Sequence, residues 1–140
     1  MQRVSSTMAA AVASALCPLL CLSSAAAAPG AVAISSPNGA SVISIERDAS
    51  RFSIARAGET IIADSPLGLE LDGVPGFGPL KLERQLGVSV DRTIPLVATK
   101  AVVARDHYRG ATLVFRERAA KGRRLLVDVR AYDDGVAFRY

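Results

Sequence analysis

From Ser41 to the C-terminal residue Tyr140, apolar side chains recur at every second position in short runs, and Gly, Pro, Asp and Ser separate the runs. A period of two puts those side chains on one face of an extended chain, so the pattern dictates half-buried β-strands and excludes amphipathic helices. Ile43 and Ile45 share a face, Asp48-Ala49-Ser50 turns the chain, Phe52 and Ile54 share the next face, and Ala57-Gly58 turns it again. Leu67, Leu69 and Leu71 alternate with Gly68, Glu70 and Asp72, which predicts a strand ending at the breaker run Gly73 to Pro79. Leu80, Leu82, Leu86, Val88 and Val90 then form one face opposite Lys81, Glu83 and Gln85, as one strand or two shorter ones, until Pro95 interrupts. Leu113 and Phe115 lead through the Lys121-Gly122 turn to Leu125, Val127, Val129 and Ala131. Asp133-Asp134-Gly135 carries the hairpin signal into a returning strand with Val136, Phe138 and Tyr140 on its apolar face.

The first residues do not belong to this pattern. Arg3 precedes an apolar run from Met8 to Leu22, and Ser23-Ser24 and four alanines follow before Pro29. That order of charge, apolar run and small residues is that of a secretory signal peptide, expected over residues 1–27 with the mature domain at 28–140. About 15 apolar residues interrupted by Pro18 are too few for a membrane span, which needs roughly 20. Both cysteines, Cys17 and Cys21, lie inside the apolar run, so the exported chain would hold no disulfide and no reactive thiol. Leu16 and Leu20 precede them where lipid attachment wants a small residue.

Without Arg3 the chain carries sixteen basic and thirteen acidic side chains, a net charge of +3 dispersed along its length. No basic helix and no run of aromatics among basic residues accompanies it, which argues against nucleic acid as a partner. After signal cleavage no membrane partner is expected either.

Candidate chemical residues are few. Asp133 and Asp134 are adjacent carboxylates, but neighbours in extended chain project to opposite faces and Asp before Gly suits a turn. His107 stands alone as a histidine, beside Asp106, and with no thiols it makes a poor metal site. A strand-entry role with local hydrogen bonds suits it better than general base catalysis. Ser65 lacks the G-x-S-x-G setting of a hydrolase nucleophile and fits turn initiation before Pro66. The Gly73 to Gly78 loop neither matches G-x-G-x-x-G nor opens a helix, so it reads as a crossover loop rather than a phosphate cradle. Lys121, Arg123 and Arg124 suit a solvated charged turn. Phe52, Phe77, Tyr108, Phe115, Tyr132, Phe138 and Tyr140 mostly alternate inward, and the chain has no Trp, which weakens a self-sufficient carbohydrate-binding module.

Several stretches, in this order and spacing behind the export signal, are similar to the N-terminal domain of glycoside hydrolase family 97. They are SPNG at Ser36 to Gly39, SPLGLEL at Ser65 to Leu71, RDHY at Arg105 to Tyr108 with ATLVFRE after it, and RRLLVDVRAYDDGVAFRY at Arg123 to Tyr140. The resemblance implies an all-β fold, part of a β-super-sandwich of the galactose-mutarotase type, which in the family packs on a following barrel and a small C-terminal β domain. It implies hydrolysis of α-glucosidic or α-galactosidic bonds with calcium assistance. The paired carboxylates and the calcium-binding glutamates of the family lie beyond the position matching Tyr140. No catalytic or metal residue is therefore carried onto this sequence, and its substrate-binding residues are unassigned. The chain is expected to be an incomplete N-terminal domain, periplasmic or secreted and inactive alone, whose α-linked oligosaccharide would be met through the missing barrel. Calcium is expected in the full-length enzyme and no cofactor in this chain. The alternative is a stand-alone exported β-sandwich that binds glycans or proteins without catalysis.

Overall fold

A computed structural model describes residues 30–70, 72–97, 101–119 and 121–140. The expected signal peptide lies outside the described residues, as do Leu71 and Ala120. No described residue is helical. Eight strands form two antiparallel sheets, each a simple meander. The first contains β1 (Ala31–Ser35), β2 (Ser41–Glu46), β3 (Arg51–Arg56) and β4 (Glu59–Pro66) in that order, and the second β5 (Leu80–Pro95), β6 (Val103–Glu117), β7 (Arg124–Tyr132) and β8 (Gly135–Arg139).

The turns explain the meander. Ala57 and Gly58 both take positive φ, 50° and 83°, which makes the β3–β4 connection a two-residue turn whose twist matches its flanking strands. Between β2 and β3, Asp48 Oδ1 accepts from the backbone N–H and the hydroxyl of Ser50 at 2.9 and 2.6 Å, bending the chain while Ala49 adopts φ 56°. The β7–β8 hairpin turns on Asp133 and Asp134, with Tyr132 paired to Gly135. Neither aspartate has a positive φ, so the reversal predicted at this point occurs with Gly135 as the first strand residue and not as a left-handed turn residue.

The sheets pack face to face. Val32 and Ile34 of β1 with Ile43 and Ile45 of β2 meet Leu113 and Phe115 of β6 with Val127, Val129 and Ala131 of β7, all buried. Phe52 of β3 touches Phe138 of β8 edge-on at 5.2 Å, closing one flank. Polar contacts lace the sheets at the turns: Leu82 N–H donates to Arg47 O at 2.8 Å, Asn38 N–H to Asp133 Oδ1 at 3.0 Å, and Arg56 to Asp134 O at 2.8 Å.

Three expectations change. Residues 80–95 form one strand, but a bulge after Leu82 puts Leu82 opposite Phe115 and Arg84 opposite Val114, leaving Glu83 as the extra residue. A bulge reverses the facing of all that follows. Leu86 and Val88 therefore sit on the outer face, 51% and 48% exposed, instead of continuing the inward face of Leu80 and Leu82. Residues 67–70 are not a strand, because β3 begins at Arg51, paired to Pro66, and has no residue left to bond them except through Leu67 N–H to Ser50 O. Finally, β1 is a strand that the alternation pattern did not mark, and β4 is the returning strand that the Ala57-Gly58 turn called for, without an alternation of its own.

Candidate functional site

The residues singled out for chemistry are held apart by the fold. Asp106 points to the outer face of the second sheet, where it accepts from Arg92 at 3.0 Å and from the Tyr132 hydroxyl at 3.3 Å. His107, on the opposite face, lies with Nδ1 3.8 Å from Asp133 Oδ2. Their adjacency in sequence thus produces no His–Asp pair, whereas the turn aspartate does approach the imidazole. Asp133 is already engaged by the Asn38 N–H, and its own carbonyl accepts from the Ser41 hydroxyl at 3.4 Å, so it works as a sheet-to-sheet tie. Ser65 lies on β4 with its hydroxyl donating to Ala63 O at 3.4 Å.

The basic turn separates into distinct roles. Arg124 pairs with Glu83 at 2.8 Å on the outer face. Arg123 is no solvated turn residue: it binds both oxygens of Glu117, donates to Pro75 O at 2.8 Å and Gly76 O at 2.7 Å, and stacks on Phe77. Glu117 in turn accepts from Gly78 N–H at 2.8 Å. One ion pair therefore pins the Gly-Pro loop to the β6–β7 hairpin. Tyr108 and Tyr132 form a pair on the outer face at 5.2 Å, with the Arg130 guanidinium 4.8 Å over the Tyr108 ring.

The pinned loop forms one wall of an open cleft of about 580 Å³ at the end of the sandwich. Leu67, Leu69, Phe77 and Pro79 give it an apolar side; Asp48, Glu70 and Arg118 give it charge. No strand alternation joins these residues, since they come from the β2–β3 turn, the segment after β4, the Gly-Pro loop and the end of β6. The one sequence signal for the cleft was Phe77, an aromatic alone in a loop of glycines and prolines.

The carboxylates whose titration shifts all move in one direction. Glu117 is held down to about 2, first by its hydrogen bonds from Arg123 and then by backbone N–H donors. Hydrogen bonds from Arg124, Arg105, Thr112 and Ser50 likewise hold Glu83, Asp91, Asp128 and Asp48 below the usual carboxylate range. A general acid for glycoside cleavage needs the opposite shift, a carboxyl kept protonated near neutral pH. Among the described residues no group of three or more His, Cys, Asp or Glu is placed to hold a metal ion.

Two antiparallel meander sheets packed face to face describe an all-β sandwich-like domain. Residues 34–140 match the family described as Glycosyl-hydrolase 97 N-terminal, and the chain belongs to it. A retaining alpha-galactosidase of Bacteroides thetaiotaomicron is 34% identical over 90 residues, 64% of this chain and 13% of that protein. A glycoside hydrolase family 97 enzyme from Pseudoalteromonas sp. strain K8, solved in complex with acarbose, superposes with a TM-score of 0.69 at 24% identity, over 76% of this chain and 17% of that one. A beta-arabinopyranosidase structure superposes at 0.61, with the same identity and coverage. The chain thus spans less than a fifth of the length of each of these relatives, and the structural likeness speaks for the fold.

Proposed function

We propose that this chain is the N-terminal, non-catalytic part of an exported enzyme that hydrolyses α-glucosides or α-galactosides, and that alone it frames substrate without cleaving it. The family membership supports the enzyme class, and the alpha-galactosidase relative supports the α-linked substrate. The observation that carries the non-catalytic reading is coverage, since the matched stretch is 13% of the alpha-galactosidase relative. The candidate carboxylates Asp106 and Asp133 are meanwhile engaged in structural hydrogen bonds on opposite faces of the second sheet. The apolar N-terminal segment supports export to the periplasm or beyond. By the family resemblance, calcium would be held in the complete enzyme by glutamates downstream of Tyr140.

The test is an assay of the purified exported chain on aryl α-glucosides and aryl α-galactosides, with the nucleotide sequence read past the Tyr140 codon. Hydrolysis at the buffer rate is expected, with an open frame encoding further domains downstream. Turnover by the chain itself would overturn the reading.

A further inference from the structure

We propose that the cleft at the end of the sandwich is a binding site for a neutral pyranoside, one or two sugar rings long. This rests on the reading above for the class of ligand, and on the cleft's own chemistry for the place. At about 580 Å³ the cleft falls within the roughly 300–1,000 Å³ typical of small-molecule sites. Its wall of Phe77, Leu69 and Pro79 matches the C–H face of a pyranose. Phe77 does not swing freely, because Arg123 stacks on its ring at 4.6 Å and anchors the loop carrying it.

The same cleft is lined by three charged groups with hydrogen-bonding capacity to spare. Glu83, Asp91, Glu117 and Asp128 spend theirs on arginines. In the cleft, Asp48 uses only Oδ1, on Ser50, while Glu70 and the Arg118 guanidinium make no hydrogen bond to the described residues. Two carboxylates accept from vicinal hydroxyls and a guanidinium donates to ring or glycosidic oxygens. Their net charge of one negative disfavours phosphorylated, sulfated or uronate ligands, which leaves a neutral sugar.

The experiment uses the chain exported from its own N-terminal segment, labelled with nitrogen-15, and titrated with panose and separately with melibiose. Gly68, Gly76 and Gly78 line the cleft and their backbone amides report on it. Chemical-shift changes centred on these glycines are expected. Glu70→Gln and Arg118→Gln, both surface changes that leave the loop's anchor intact, should each weaken binding about tenfold, the value of one charge-assisted hydrogen bond. Binding that shifts amides elsewhere, or that both variants retain, overturns the site while leaving a glycan-binding role standing. No shift from either sugar at roughly 10 mM, weaker than any useful affinity, overturns the site and the substrate-framing role together. Shifts at the three glycines that depend on protein concentration without sugar would make the occupant a second copy and also overturn it.

Discussion

The guanidinium carbon of Arg123 lies 4.6 Å from the centre of the Phe77 ring. That contact joins the β6–β7 hairpin to the Gly-Pro loop, and Arg123 completes the clamp with Glu117 and two loop carbonyls. Arg123→Lys keeps the charge but loses the planar fork, which alone meets a carboxylate, two carbonyls and a ring at once. The variant should melt several degrees lower than the parent, and its amides at Gly76 and Gly78 should exchange faster with solvent. Hydrogen exchange read by mass spectrometry decides it: protection equal to the parent's at both glycines would mean the loop is held by something else.

Acid should open the same clamp. Glu117 titrates at about 2 in the fold against an ordinary value of 4.5, so its contribution to stability is fully present above 4.5 and is lost as pH falls from there toward 2. Asp48, Glu83, Asp91 and Asp128 shift the same way and add to the slope. Denaturant melts taken in steps between about pH 5 and pH 2 should show falling stability, and Glu117→Gln should flatten the curve over that window. A Gln variant with the parent's pH slope would assign the acid sensitivity to the other four carboxylates.

Much of the fold was legible because β2, β3, β6 and β7 each keep one face in the core, and burial of one face writes an alternation into the sequence. Val127, Val129 and Ala131 are the clearest example, at 0%, 2% and 0% exposure. β4 was legible only from the turn before it: adjacent Ile61 and Ile62 are both exposed, Asp64 takes φ 45°, and its pairing with β3 is irregular, so no period of two survives. β1 was masked by the run of alanines and the Pro-Gly pair just before it. The cleft was illegible for a further reason, since Asp48, Glu70, Phe77 and Arg118 are brought together by the packing of two sheets, which no local pattern encodes.

Gly110 is where β6 tolerates nothing larger. A Cβ there would stand 2.5 Å from the Val129 carbonyl oxygen and 3.3 Å from the Tyr108 ring, and the first of these is backbone that cannot turn aside. Gly110→Ala should cost about 2 kcal/mol or more through overpacking. Gly87, on the neighbouring β5, has nothing within 4 Å of the same added atom, so Gly87→Ala should stay within about 0.5 kcal/mol of the parent. Urea denaturation of the two variants side by side checks the contrast; equal costs would mean that β6 shifts to accommodate the methyl.

The bulge after Leu82 makes the last expectation sharp, because it separates two leucines that the sequence pattern treats alike. Leu86 and Leu113 each belong to an alternating run, yet Leu113 is fully buried against β7 while Leu86 is 51% exposed on the outer face, opposite Thr112. Leu113→Ala removes core contacts that the surrounding strands cannot close over, at about 2–5 kcal/mol. Leu86→Ala removes a side chain already half in water and should cost well under 1 kcal/mol. Without the bulge, Leu86 would face inward and the two substitutions would cost comparable amounts. Measured free energies of unfolding for this pair therefore test the register of the longest strand in the domain. Equal losses would return Leu86 to the core and, with it, turn the apolar outer row of Leu86 and Val88 back inside.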